Sequence, residues 1–223
     1  MKKPTILTLL IFIIVCSVHS QNAKSRFGLI VAGTLANWSG NDAEILGEAL
    51  SGTSSAHSVL GYSLGAFLEI RLNNSFVLQP ELYYTNKGCK YTGTLTYDDY
   101  DDSYSFDAEY LFKLNYIQVP VLVKISPLSK KMAPTFTAFA GPYLGFETGS
   151  IIKLKVSYEG ESESDKMDFE DIESTDLGVI VGAGLMFSSG LQFNVQYQKG
   201  LSKVIPDADV YNSVYMATMG FTY

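Results

Sequence analysis

Apolar and polar residues alternate with a period of two through most of this chain. The stretch LQFNVQYQKG, 191–200, is the cleanest case. Leu191, Phe193, Val195 and Tyr197 share one parity, and Gln192, Asn194, Gln196 and Gln198 share the other. Successive side chains of a strand point to opposite sides, so this pattern predicts a strand with one apolar face and one wet face. Comparable runs predict eight strands, near 26–36, 59–72, 75–87, 110–125, 134–147, 176–188, 190–200 and 212–223, and no helix of normal length. Alternation alone leaves open where the apolar face points. It would face a core in a soluble sandwich or lipocalin-like barrel, and lipid in a membrane barrel.

The connections favour lipid. Tight links around Asn73, at SSG (188–190) and through SPLSKKMAP alternate with long ones at about 37–58, 88–109, 148–175 and 201–211. In an up-and-down meander this sorts all short turns to one end and all long loops to the other. Outer-membrane barrels have that asymmetry, with an even strand number and the long loops outside. The apolar faces have the length of a tilted spanning strand. Their aromatics fall in two bands: Phe27, Phe76, Phe187, Phe221 and Tyr223 toward the short turns, Tyr62, Tyr84, Tyr197 and Tyr215 toward the long loops. Such bands suit two membrane–water interfaces.

The opposite parity carries Glu69, Arg71, Gln79, Glu81, Gln118, Lys124, Gln192 and Gln196, with glycines at 178, 182, 184 and 220. An eight-stranded barrel is just wide enough for side chains to fill, so these residues are expected inside a plugged lumen. Glu69, Arg71, Glu81 and Lys124 are the candidate polar cluster. The fourth strand is irregular. Lys113 and Asn115 share the parity of Ile117 to Ile125, which a bulge near Asn115 or emergence above the membrane would explain, and Pro120 cannot donate to a ladder.

The N-terminus changes the picture next. MKKPTILTLLIFIIVCSVHSQN has a charged start, a short apolar run and small residues before a break, and is expected to be a secretory signal peptide over 1–20, cut after Ser20. The domains are then a leader, 1–20, and a barrel domain, 21–223. Losing Lys2 and Lys3 and no acid moves the formal charge from -7 to -9, which argues against nucleic acid as a partner. Cys16 leaves with the leader, and Cys89 remains alone as a small residue at a loop edge, with no disulfide. A single histidine, His57, stays in the mature chain, which disfavours a histidine-based triad or zinc site.

Two acidic stretches remain. SYEGESESDKMDFEDIESTD, 157–176, and YDDYDDSYSFDAE, 97–109, are expected in external loops. Ca²⁺ ligation is conceivable with so many oxygens, but neither has EF-hand spacing. A solvated, self-repelling loop is the plainer reading, so no metal and no cofactor is expected.

The signal peptide, the opening strand FGLIVAGTLANWSG, QPELYYTNKGCKYTG, LNYIQVPVLVKI, FAGPYLGF and the aromatic end together resemble the PorT-like outer-membrane β-barrel proteins of Bacteroidota. The resemblance implies an outer-membrane barrel, and for Phe221 and Tyr223 an assembly signal read by the barrel-assembly machinery. The fold expected is all-β, an eight-stranded antiparallel up-and-down transmembrane β-barrel. The function expected is non-enzymatic, with a structural, adhesive or secretion-accessory role through the external loops. Its partners would be outer-membrane lipid, the assembly machinery and an external or secretion-apparatus protein. The alternatives are a narrow channel or small-solute binder and a soluble exported ligand-binding barrel.

Overall fold

A computed structural model describes residues 25–51, 56–99, 102–125, 134–158, 161–169 and 172–223. The expected leader and most of the 126–134 link lie outside them. The elements are β1 (Ser25–Ser39), α1 (Asn41–Ser51), β2 (Val59–Arg71), β3 (Phe76–Asp99), β4 (Asp102–Ile125), β5 (Thr135–Tyr158), β6 (Glu161–Asp168), β7 (Thr175–Met186), β8 (Leu191–Gly200) and β9 (Tyr211–Thr222). Every pairing is antiparallel. Eight strands close a ring, in the order β1-β2-β3-β4-β5-β7-β8-β9 and back to β1. The ninth, β6, lies outside the ring and pairs only with the upper half of β5.

The apolar parity faces outward. Val195 is 65% exposed, and Phe27, Leu64, Val181 and Met219 are exposed beside it. The wet parity is buried: Gln79, Glu81, Gln118, Lys124 and Gln192 are all enclosed. A soluble barrel cannot leave this belt to water while enclosing its charges, so the lipocalin-like alternative falls. Paired rings mark the two edges of the belt. Tyr62–Tyr84 and Tyr197–Tyr215 meet at the long-loop end, at 6.1 and 5.0 Å. Phe187–Phe193 and Phe221–Tyr223 meet at the other, at 6.1 and 5.0 Å.

Glycines make room inside. Gly28 faces Phe67 and Gly182 faces Phe139 across adjacent strands. A Cβ would stand 2.2 Å from the Phe67 ring or 2.4 Å from the Phe139 ring, so the rings lie flat over bare backbone.

Four expectations require correction. Residues 88–109 are no loop: β3 and β4 continue as one hairpin far beyond the belt. Within 148–175, the run IIKLKVSYEG still alternates and β5 follows it to Tyr158, as that alternation predicts, but the acidic stretch after it is no loop: β6 returns beside β5. The 37–58 link contains an 11-residue helix, whose Ala43, Leu46 and Leu50 face one apolar cluster at helical spacing. Cys89 sits on β3 in that cluster, fully buried, and not at a loop edge.

The puzzle of the fourth strand also resolves. β4 keeps its parity throughout, so Lys113 and Asn115 do face outward, above the belt. A register shift occurs opposite Asn115/Tyr116, and the extra residue is Thr148 on β5. Pro120 points inward, and ladder pairing with both neighbours skips positions beside it.

Candidate functional site

The lumen is filled in three polar tiers beneath an apolar cap. At the short-turn end Lys124 Nζ lies 3.1 Å from Glu69 Oε1 and donates to Gln192 Oε1 at 2.6 Å and Gln79 Oε1 at 3.3 Å. Gln79 Nε2 donates to Glu81 Oε1 at 2.7 Å, and Gln192 Nε2 donates to Glu69 Oε1 at 2.9 Å. The structure thus joins Glu69 and Lys124 directly and Glu81 through Gln79. Arg71 stays apart, and its Nη1 finds no hydrogen-bond partner among the described residues. Arg26, which the sequence did not mark as a candidate, stands where Arg71 was expected, donating to Glu69 Oε2 at 2.8 Å from the half-exposed rim. An ion pair removed from water survives only when its remaining donors and acceptors are also met, as the two glutamines do here.

The middle tier is neutral. Gln118 Nε2 donates to Gln198 Oε1 at 3.0 Å, and both amides donate to the Tyr83 hydroxyl, at 3.2 and 2.9 Å. All three residues are buried. They come from β3, β4 and β8, so the bonds cross the lumen.

The upper tier lies outside the candidate cluster that the sequence marks. Lys87 Nζ pairs with Asp176 Oδ2 at 2.7 Å, and the Lys87 side chain has no exposed surface. The Tyr143 hydroxyl donates to Asp176 Oδ1 at 3.2 Å, and Asn212 Nδ2 donates to Oδ2 at 3.1 Å. The Lys87 ammonium also sits 4.4 Å from the Tyr143 ring centroid, within cation–π range. Both charges continue the wet parity of their strands, which was the available signal. Nothing in the sequence links positions 87 and 176.

Above this tier, Trp38, Cys89, Tyr91, Phe112, Leu114 and Tyr116 form an apolar core with α1 and with Val204 and Val210 of the last long loop. The Trp38 and Phe112 rings pack at a tilt of 44° with centroids 4.8 Å apart, and the Tyr91 hydroxyl donates to the Ala43 carbonyl at 2.8 Å. Gly40 has φ 122°, and a Cβ there would strike the Asp209 carbonyl, so this glycine lets the chain turn from β1 into α1 against the 201–210 loop. Burial pushes the Cys89 thiol and the Tyr91 hydroxyl above their ordinary pKa values, away from nucleophile chemistry.

The acidic stretches do not converge. Asp176 is inside the lumen, while Glu161, Glu163 and Asp165 lie exposed along β6. Among the described residues no three His, Cys, Asp or Glu side chains gather as a metal-ligand set. Phe221 and Tyr223 lie at the short-turn rim, where the Tyr223 amide donates to the Phe27 carbonyl at 2.8 Å.

A closed ring of spanning strands, apolar outside and polar within, with aromatic girdles and one-ended long segments, defines a transmembrane β-barrel. The chain belongs to the outer membrane protein beta-barrel domain family, whose model matches residues 19–206. It is an outer-membrane protein. Similar solved structures include Ail of Yersinia pestis, crystallised with the heparin analogue sucrose octasulfate, at 16% identity over 89% of this chain and 99% of that one, TM-score 0.36. Neisserial surface protein A is 15% identical over 88% and 97% of the two chains, TM-score 0.44. OprG of Pseudomonas aeruginosa is 10% identical over 89% and 95%, TM-score 0.34. No curated protein matches the chain.

Proposed function

We propose that this is a non-enzymatic outer-membrane scaffold that works through its external extension, in a structural, adhesive or secretion-accessory role, and not through its lumen. One observation carries the reading: the lumen is bridged by hydrogen bonds at three levels and then roofed by an apolar core. A diffusion path would have to break buried ion pairs and also displace Trp38 and Phe112. In contrast, the hairpin of β3 and β4 and the hairpin of β5 and β6 stand well clear of the belt and offer surface to a partner. The motifs that resemble the PorT-like group support a place near that group. With it go removal of residues 1–20, delivery of the 21–223 barrel through the assembly machinery by Phe221 and Tyr223, and an external or secretion-apparatus protein as partner.

Planar-bilayer recording of the mature chain refolded in detergent tests the reading. Membranes carrying verified folded barrel are expected to stay electrically silent. Discrete conductance steps that persist when the cap is intact would replace the scaffold with a narrow channel.

A further inference from the structure

Beyond the belt, β3, β4, β5 and β6 form an open sheet whose two faces differ. Directly paired residues of antiparallel strands share a face. The face that bears buried Phe112 continues upward, by register, as Tyr110 and Ala108 on β4 and Leu154 and Val156 on β5. Phe106 and Tyr158 extend it, with ring centroids 5.0 Å apart. On β6 the same face presents Met167 opposite Ile152, then Asp165 opposite Leu154, Glu163 opposite Val156 and Glu161 opposite Tyr158. An apolar strip two strands wide therefore runs beside a row of three acids.

The cap covers only the foot of this strip. Tyr110 and Ile152 pack against the cap cluster, and the strip runs on above them. Leu154 and Val156 are half-buried, as is the lipid-facing Val119, while Met167 is 47% exposed and the three acids of β6 are exposed. Such a strip in water is covered at a gain in free energy, since apolar area leaves the solvent. Charge on this face has one sign. Among the described residues, register puts no lysine or arginine on it, and α1 beside it adds only acids, Asp42, Glu44 and Glu48. Lys203 of the cap loop is taken by Asp209 at 2.8 Å. The reverse face mixes signs, with Lys155 directly opposite Glu109.

Height and charge select the occupant. Val156 lies ten residues beyond Phe146, which pairs with lipid-facing Ile117. A strand tilted about 40° climbs about 2.5 Å per residue, so the strip stands about 25 Å above the belt. That is about three Debye lengths at physiological salt, out of reach of the bilayer. A second copy of the chain seated face to face brings no basic residue and leaves the acids unpaired. A strip two strands wide is about 10 Å across, the diameter of a helix. The acids repeat about every 6.7 Å along β6, and basic residues four apart on a helix repeat about every 6.0 Å.

We propose that this face docks a cationic amphipathic helix of an external protein. Its apolar stripe lies on Leu154, Val156 and Tyr158, and its basic flank runs along Glu161, Glu163 and Asp165. The proposal rests on the reading of the extension as the working part of a scaffold, and it names the chemistry of the partner. Apolar contact supplies most of the affinity, and the acid row fixes which way the helix lies.

The test titrates a fluorescent, stapled helical peptide against the mature barrel in phosphatidylcholine nanodiscs, with empty discs as the blank. The peptide carries a leucine stripe flanked by lysines at every fourth position, over about four turns, enough to span the acid row. Cold gel mobility verifies that each barrel is closed. An exposed ion pair contributes about a factor of two, so E161Q/E163Q/D165N, which removes no packed side chain, is expected to bind about eightfold more weakly. V156S/Y158S removes the apolar contact and is expected to bind about tenfold more weakly or worse. The same peptide with glutamates in place of its lysines is expected not to bind. No binding of the lysine peptide above the blank, equal binding by either variant, or equal binding of the glutamate peptide would overturn the proposal. Failure here and failure of the scaffold reading are separable. Silent bilayers without peptide binding remove only the docking face, and a conducting barrel that still binds the peptide keeps the face and removes the scaffold.

Discussion

Strand β4 passes through two environments without changing its parity, and its two faces exchange character on the way. Within the belt its outward residues are Ile125, Val123, Val121, Val119 and Ile117, and its inward ones include Lys124 and Gln118. Above the belt the outward residues become Asn115, Lys113, Glu109 and Asp107, with Leu111 the one apolar exception among them, while Tyr116, Leu114, Phe112 and Ala108 turn inward and are buried. β3 does the same, from Leu82 and Tyr84 outside to Lys90 and Thr92, and from Glu81 inside to Cys89 and Tyr91. The backbone geometry is constant and only the surrounding solvent differs. Lipid outside requires an apolar exterior, so the interior takes the polar residues. Water outside removes that requirement, and the hydrophobic effect builds an ordinary core. One barrel thus holds an inside-out half below an ordinary globular half.

The largest expected effect tests the polar half. Asp176→Leu leaves the Lys87 ammonium enclosed without its partner, and losing one member of a buried pair costs about 3–5 kcal/mol. The urea midpoint for loss of the fast-migrating, unboiled gel form should fall accordingly, and the double variant K87M/D176L should recover most of the loss. A double variant no better than the single one would mean that the two charges do not act as a pair.

The globular half should break separately. Phe112→Ala removes a ring that contacts Trp38, Tyr91 and Phe169, a truncation that costs about 3–5 kcal/mol in a well-packed core. The expected result is local: Cys89, inert in the native protein, becomes open to maleimide while the cold gel mobility of the barrel stays the same. Simultaneous loss of both would show that cap and barrel unfold as one unit.

The finest comparison uses two positions of equal parity on β4. Val121→Arg places a charge against lipid near the middle of the belt, at a cost of about 2–4 kcal/mol. Leu111→Arg, ten residues further along the same face, lies above the belt and is expected to change stability by less than about 0.5 kcal/mol. Urea titration of both variants in lipid bilayers measures the contrast. Equal effects would move the membrane boundary, or remove it.

The extension was the part least legible beforehand. Residues 97–109 and 157–176 look like loops because carboxylates crowd them, and charge is a poor strand signal. In the structure residues 105–109 belong to β4 and 161–168 form β6, because pairing to a neighbour supplies what propensity does not. The helix at 41–51 is short and holds Gly47, so its packed positions count for more than its propensity. In the lumen, the wet parity named Glu69, Glu81 and Lys124 as neighbours. It could not show that Arg26 and not Arg71 would reach Glu69, since both lie near strand ends and side-chain reach depends on how the sheet closes.

What the sequence determined by itself is periodic and local. Alternation of two assigns each residue to a face, and the lengths of the apolar runs and the one-sided placement of long segments select a membrane barrel. These signals need no partner strand to be read. What only the tertiary structure decided is which residues meet: Lys87 with Asp176, Lys124 with Glu69 and Gln192, and Lys153 opposite Lys166. Such meetings depend on register and closure, which bring together residues as far apart as 27 and 223. Whether a face is apolar is written along the chain, and what it faces is settled when the sheet closes and two solvents meet its outside.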